Sequence, residues 1–447
     1  MTYDTEATFE TDVLVIGAGM AGLTTAARAA ELGQSVLVVE KAPDFGGSAV
    51  LSGGGLWTLA EPGLARQIDP QCNEALCETL QGGFTEAVDW AERLGAQLLP
   101  WVRIDAVQGF PAICRPIDIL GYLRLCMATI TDAGGWVITD STVERLLVDG
   151  GRVCGAMVDG ADGRVRVLAR KVVLATGGYQ ANAALCDELI GPFARGLVLR
   201  SNPFSDGGGM RLARGCGAEP APWTDRFYGH LVASPPPDPF LPADFLRFAQ
   251  IASPRTILLD RAGRRFVDES RNYYGNASAV SRQDGRTALL VCDDAVRQYD
   301  MTAYAATESI DRFGEAARAG MRVVRADTIE ALGAGAANLG YHGVEAAIAA
   351  YNRELAGEPL AMQPPRAANR QPLAMAPFWA MEVTPAITFP FRGLATDPDG
   401  RVLDGTGQAI PGLHAVGADA SFYRSTYFGG LALGLVFGQR VAAAALA

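Results

Sequence analysis

The stretch from residue 12 to residue 41 constrains the fold more than any other. The apolar, β-branched run DVLVI (12–16) is followed by Gly17-Ala18-Gly19-Met20-Ala21-Gly22. An Ala-rich segment then ends near Gly33, and a second apolar run, SVLVVE, covers 35–40. The pattern predicts a buried parallel strand, a glycine turn, a helix and a second strand. Gly17 permits the tight turn, Gly19 lets a backbone approach a pyrophosphate, and Gly22 lets helix and strand pack closely. The free N–H groups of the helix start, with Met20 and Ala21 in its first turn, suit an anion. Glu40 lies 18 residues after Gly22 and ends the second strand, where it would accept ribose hydroxyls and disfavour a 2′-phosphate. A glycine turn without a ligand is the competing reading. The strand before it, the helix after it and the carboxylate beyond favour a dinucleotide.

Composition narrows the class. Of 447 residues 49% are hydrophobic and only 19% charged, which suits a large-cored α/β enzyme and not a disordered chain. A formal charge of −11 argues against nucleic acid and anionic membranes as main partners. The eight cysteines (Cys72, Cys77, Cys114, Cys126, Cys154, Cys186, Cys216, Cys292) form no CxxC, and three histidines (His230, His342, His414) do not cluster, so no metal site is expected. Reduced thiols and an acidic N-terminus without an apolar signal core imply a cytoplasmic protein. The apolar stretch 429–447 carries Gln439 and Arg440 and reads as a buried closing helix, not a membrane span.

Further along, helical periodicity covers 72–95, 119–133 and 341–357, a meander runs through 136–168, and KVVLATGG (171–178) is another buried strand ending in a glycine turn. Residues 220–245 turn rich in Pro and aromatics, which marks a crossing into a second domain. Strand patterns return over 382–416. The expected organisation is a dinucleotide domain over 1–220 and 388–447, interrupted by an insert over 221–387. The run GGSAVLSGGGL (46–56) offers many backbone N–H groups to a ligand longer than its pyrophosphate, through Gly47, Ser48, Ser52, Gly53 and Gly54. Ala175, Thr176 and Gly177 make a second glycine approach, and Gly417-Ala418-Asp419 precedes the closing helix. A helix N-terminus aimed at a flavin would stabilise its anionic reduced form.

These segments, together with SDGGGM, GRRFVDES and YFGGLALGLVFGQRVA, resemble the fumarate reductase and succinate dehydrogenase flavoprotein superfamily over nearly the full length. The resemblance implies an α/β Rossmann-like FAD-binding domain with an inserted α+β capping domain, and substrate held between cap and flavin. It also places Lys41, Asp206, Gly430, Leu431 and Leu433 among the cofactor contacts. Members with covalent flavin carry a His that aligns with Ser48, so non-covalent FAD is expected.

The dicarboxylate reductases of that superfamily use a catalytic Arg, a second Arg and a His at positions that align here with Tyr273, Tyr427 and Phe389. Without these groups a dicarboxylate is held poorly. The two tyrosines resemble the 3-ketosteroid dehydrogenase branch, which implies Tyr273 as base and Tyr427 as the group polarising the ketone, helped by a backbone N–H near Gly430. Tyr274 is the alternative base if the register shifts by one, and Leu431 departs from the branch, where some members have Gly. A tyrosine is a poor base at neutral pH, so Arg271, Arg255 or Arg424 is expected to assist. His230, beside a Pro-rich stretch that invites a lid, stays outside the catalytic set. The function implied is desaturation of a cyclic or steroid-like ketone, with an unidentified electron acceptor. Its rivals are an ene-reductase on an activated alkene, a dicarboxylate reductase, and a flavin-binding protein without turnover.

Overall fold

The computed structural model describes residues 7–61, 63–107, 110–161, 163–302, 309–358 and 363–444. They gather into two compact units: Met1–Pro192 with Ser201–Arg226 and Phe389–Ala447, and Phe193–Arg200 with Phe227–Thr388. The sequence reading drew the insert over 221–387. The second unit runs Phe227–Thr388 and also takes in the short excursion Phe193–Arg200.

The first unit is built on an eight-stranded sheet. Its order runs Arg401–Leu403, Ala409–Ala415, Gly163–Leu174, Ala7–Ile16, Val36–Val39, Trp136–Ile138, with Arg152–Gly160 and Thr142–Asp149 appended beside Gly163–Leu174. The middle is parallel: Val15 pairs with Val38 on one side and Val173 on the other. Val13, Leu14 and Val15 are fully buried, as apolar strands covered on both faces must be. The first strand is longer than the expected 12–16. Its polar start, residues 7–11, pairs with 165–169, and this backbone ladder holds residues that the apolar pattern could not reveal.

The helix Met20–Glu31 packs against the closing helix Gly430–Ala443, where added Cβ atoms at Gly434 and Gly438 would come within 3.3 and 3.0 Å of Ala21. The closing helix is 14 residues long, and among the described residues no helix is long and apolar enough to cross a membrane. The helices Glu74–Arg93 and Ile119–Asp132 start on Asn73 and Asp118, whose side chains accept the N–H groups of Leu76 and Gly121. A small three-stranded sheet (Gly55–Leu59, Val102–Val107, Phe110–Pro116) completes the unit.

The glycine turn is tight enough to forbid side chains. Gly17 has φ +110°, and a Cβ there would stand 2.3 Å from the Ala175 carbonyl oxygen. A Cβ on Gly22 would stand 1.9 Å from the Gly17 carbonyl. Gly22→Ala is therefore expected to cost about 3 kcal/mol in urea unfolding and to yield protein purified without yellow colour.

The second unit carries a mixed sheet of Val198–Leu199, Phe378–Pro390, Ala288–Cys292 and Ile257–Leu259, joined by Phe227–Ala233 and Val323–Ala326. Leu289, Val291, Ala380, Tyr341 and Ile348 lie at its core, all fully buried. The excursion 193–200 belongs here because Val198–Leu199 adds a short parallel strand beside Ala386 and Ile387.

Two buried histidines tie this fold to pH. Burial, with Arg200 and Arg312 acting the same way, holds His230 well below its ordinary pKa. Burial first, then the charges of Lys171 and Arg401, lowers His414 to about 3. An unfolded histidine titrates near 6.5, so below that pH the unfolded chain binds protons that the folded chain refuses, and stability falls with pH. Lowering pH from 7.5 to 5.5 is expected to remove about 3 kcal/mol of unfolding free energy for the two together, measurable by urea titration of wild type against His414→Gln.

Candidate functional site

In the first unit the turn 17–22 opens the helix Met20–Glu31. Its N-cap, Gly19, brings no side-chain cap, and the first turn has no acidic residue. A Cβ on Gly19 would meet nothing nearer than the Gly46 carbonyl at 4.0 Å. An uncapped helix start with open space before it fits a pyrophosphate. The expected second loop lies against it: Gly46 N–H donates to the Ala18 carbonyl at 2.8 Å, and residues 47–51 form a short 3-10 helix. Ser52 Oγ donates to the Ala49 carbonyl and accepts from Gly54 N, so Ser52–Gly54 is a fixed turn with Gly53 at its exposed tip.

Glu40 is buried, and its two carboxylate oxygens accept the N–H groups of Ala18 and Ala42 at 2.7 and 2.8 Å. It therefore braces the phosphate turn, a task that its spacing did not announce, and each oxygen keeps a lone pair for a ribose hydroxyl. Lys41 and Asp206 pair with each other at 2.7 Å. Burial works against the Asp206 carboxylate, but Lys41 and then Arg211 hold its pKa below the usual range. Ser48 Oγ bonds Ser201 Oγ at 2.8 Å, and Gln180 Nε2 donates to both Ser201 Oγ and the Gly177 carbonyl. Ser201 and Gln180 were missed from the sequence because nothing local marks a hydroxyl that meets Ser48 from 153 residues away.

Asp419 ties the glycine turn to the segment before the closing helix. Its carboxylate, 3% exposed, accepts Thr176 N at 2.5 Å, Thr176 Oγ1 at 3.0 Å and Gly178 N at 3.1 Å. Burial pushes its pKa up against the pull of those donors. Thr176 Oγ1 in turn accepts Gly209 N. Ala175 N bonds the Ile16 carbonyl, and a Cβ added at Gly417 would reach Ala21 at 2.9 Å. So Gly17, Ala21, Ala175, Thr176, Gly177, Gly417 and Asp419 converge on one end of the parallel sheet.

At the start of the closing helix, Gly430 N–H donates to the Tyr427 hydroxyl at 2.6 Å. Gly430 and Leu431 are half-buried, while Leu433 N closes the first turn on the Gly429 carbonyl. Tyr427 is ringed by Trp57, Phe389 and Tyr423, with centroids 5.6, 5.8 and 5.4 Å away. Arg424, which the sequence offered as an assisting cation, donates to the carbonyls of Pro222 and Trp223 instead. The Gly430 N–H, which was expected to help bind a ketone, is engaged by the Tyr427 hydroxyl.

In the second unit Tyr273 opens the helix Tyr273–Val280, whose cap Asn272 accepts Gly275 N at 2.5 Å. Its hydroxyl lies 3.2 Å from that of Tyr228, and its ring stacks on His230 at 4.6 Å and 18°. Tyr273 is half-buried, whereas Tyr274 is 4% exposed. Of the other expected cations, Arg271 pairs with Asp268 at 3.4 Å and Arg255 lies over the Tyr299 ring at 3.9 Å. The buried Arg200, which the sequence reading did not single out, donates to His230 Nδ1 at 3.2 Å.

A glycine turn uncapped toward an anion, a carboxylate behind it and a third strand end stapled by Asp419 define a dinucleotide-binding flavoprotein fold. The FAD binding domain family matches residues 12–431, and the chain belongs to that family. It is a flavoprotein, and its relatives place it in the fumarate reductase and succinate dehydrogenase flavoprotein superfamily. It is 27% identical to an NADH:fumarate oxidoreductase of Klebsiella pneumoniae (strain 342), aligning 91% of this chain with 44% of that protein, so it spans less than half of that relative. It is 25% identical to a 4-oxocyclohexanecarboxylate 2-dehydrogenase of Sinomonas cyclohexanicum, over 94% of this chain and 89% of that one. Its fold matches a 3-ketosteroid delta1-dehydrogenase from Sterolibacterium denitrificans in complex with 1,4-androstadiene-3,17-dione, with a TM-score of 0.77 at 19% identity over 97% and 98% of the two chains.

Proposed function

We propose that the protein is an FAD-dependent dehydrogenase that introduces a C=C bond next to the carbonyl of a cyclic ketone. The observation that carries this reading is the Tyr427 hydroxyl, which accepts the Gly430 N–H at 2.6 Å inside a ring of Trp57, Phe389 and Tyr423. A phenol that accepts a backbone N–H donates its own proton more strongly, and helix-start N–H groups favour the negative charge that gathers on an enolate oxygen. These aromatic rings suit a neutral carbonyl and offer a carboxylate no bidentate cation.

Tyr273 takes the proton alpha to the ketone, and its bond to the Tyr228 hydroxyl supports this assignment by giving the phenol a partner for its own proton. Bound FAD supplies the acceptor for the beta hydride. It is held by the turn 17–22, Glu40, the 46–54 loop and the closing helix, and without covalent attachment, because Ser48 cannot form the linkage a His makes. The likeness to an oxocyclohexane dehydrogenase supports a small ring as substrate. The likeness to a fumarate oxidoreductase favours the reverse direction on an activated alkene as the second reading.

The test is anaerobic bleaching of the flavin band by a panel of cyclohexanones, 3-ketosteroids, succinate and NADH. Bleaching by a cyclic ketone is the expected result. Bleaching by succinate alone contradicts the reading of the tyrosines, and bleaching by NADH alone supports the reductase.

A further inference from the structure

Among the eight cysteines, Cys72 and Cys77 lie at one helix start, and the proposed ketone chemistry uses neither. Asn73 caps the helix Glu74–Arg93, and its side chain accepts Leu76 N at 3.3 Å. Cys72 is therefore the residue just before the cap. Cys77 is the fourth residue of the helix, with its N–H on the Asn73 carbonyl at 3.0 Å. Side chains at these two positions meet across a helix start, where an apolar pair commonly staples the entry of the chain. Here the staple is made of two thiols.

The two differ in reach and in acidity. Cys72 is partly exposed and Cys77 is buried. The Cys77 thiol, as a hydrogen-bond partner, lowers the Cys72 pKa against burial and the carboxylates of Asp69 and Glu74, with Arg66 acting in the same direction as Cys77. Cys72 and then burial raise the pKa of Cys77. The positive end of the helix dipole also favours a thiolate just before the cap. Burial instead raises the thiols of Cys114, Cys126, Cys186, Cys216 and Cys292. A partly exposed thiol that ionises readily, with a buried thiol against it, lets one sulfur attack an oxidant and the other resolve the product.

The loop before the cap is fixed. Cys72 N donates to the Asp69 carbonyl at 2.9 Å, and Asp69 N to the Ala65 carbonyl at 2.8 Å. The Asp69 carboxylate accepts Gln71 N at 3.3 Å and Ser425 N at 2.8 Å, two residues before Tyr427. Burial raises the phenol pKa of Tyr423, and the neighbouring Tyr427 and then Cys77 add to it. The thiol pair thus stands against the segment that carries Tyr427.

We propose that Cys72 and Cys77 form a redox site that is oxidised reversibly to a disulfide, with hydrogen peroxide as the oxidant. The Cys72 thiolate attacks one peroxide oxygen, the O–O bond breaks, and the departing hydroxide takes up a proton to become water. Cys72 is then a sulfenic acid. The Cys77 sulfur gives up its proton and attacks the Cys72 sulfur, the S–O bond breaks, the S–S bond forms and a second water leaves. Two thiols are oxidised, and one peroxide is reduced to two waters.

The experiment treats reduced holoenzyme with equimolar hydrogen peroxide, traps the remaining thiols with N-ethylmaleimide in denaturant, and analyses the tryptic peptides by mass spectrometry. The peptide from Gln67 to Arg93 holds Cys72 and Cys77 and no other cysteine. It is expected two hydrogens lighter and free of maleimide, and dithiothreitol before trapping is expected to restore both maleimides. Iodoacetamide is expected to label Cys72 of the reduced protein on the order of tenfold faster than the partly exposed Cys216. Cys77→Ser is expected to leave a sulfenic acid on Cys72 that dimedone captures. A wild-type peptide that keeps both maleimides overturns the proposal. So does a sulfinic acid on Cys72 beside an alkylated Cys77, or a disulfide from either residue to another cysteine. The wild-type peptide decides even if Cys77→Ser does not fold.

Discussion

Tyr273→Phe is expected to slow ketone-driven flavin reduction about a thousandfold, the range in which loss of a positioned base falls. The phenyl ring keeps the stack on His230, while the hydroxyl and its bond to Tyr228 at 3.2 Å disappear. Folding stability should therefore fall by no more than about 1 kcal/mol, and the flavin content should not change. Tyr274→Phe is the matched control, because Tyr274 is the buried neighbour and Tyr273 the half-buried one. A loss of rate in Tyr274→Phe with Tyr273→Phe unaffected would shift the base by one residue. Stopped-flow bleaching under anaerobic conditions, with a cyclic ketone as reductant, measures both.

Asp419→Ala is expected to have the largest effect on the cofactor domain. The carboxylate answers Thr176 N, Thr176 Oγ1 and Gly178 N at once. Removing it leaves these buried and part-buried donors without an acceptor, at about 1–3 kcal/mol each. Allowing the threonine hydroxyl to turn to another partner, a net loss of about 4 kcal/mol is expected. The glycine turn after Ala175 would lose its anchor, and Thr176 would lose the bond that orients it toward Gly209 N. Purified Asp419→Ala should therefore be colourless or release FAD on dilution, with the drop in stability read from urea unfolding. Asp419→Asn, isosteric but with an amide in place of one oxygen, should fall between the two. Wild-type stability and flavin content in Asp419→Ala would mean that the turn is held by its glycines alone.

Much of the first unit was legible in the sequence, for a physical reason. A phosphate turn needs glycines at fixed spacing, a strand before it and a helix after it, and these are local properties. The places of Gly17, Gly19 and Gly22 in the turn and of Glu40 beyond the second strand could be read from spacing alone, and that of Asp419 from the segment before the closing helix. What those residues do was less legible. Glu40 was expected to meet a ribose, yet it first holds Ala18 N and Ala42 N. Lys41 and Asp206 were expected to meet the cofactor, and they meet each other.

The second unit was harder to read because its decisive contacts link distant residues. His230 was set aside as a core or surface residue, and it is buried, but against the Tyr273 ring. Arg200 carries no motif, and its place depends on a two-residue strand that periodicity cannot signal. The same limit applies to Tyr427. Its position was read from the pattern before Gly429-Gly430, whereas the bond that occupies Gly430 N–H follows from side-chain packing among four aromatic rings.

The central claim is that the protein removes two hydrogens from a cyclic ketone, and the product tests it most directly. Holoenzyme in excess should be mixed anaerobically with 4-substituted cyclohexanones and, separately, with succinate, and the products analysed by mass spectrometry. A ring enone two mass units lighter than the ketone, formed in step with flavin bleaching and absent in Tyr273→Phe, is the predicted result. Fumarate from succinate, with the ketones recovered unchanged, would contradict it.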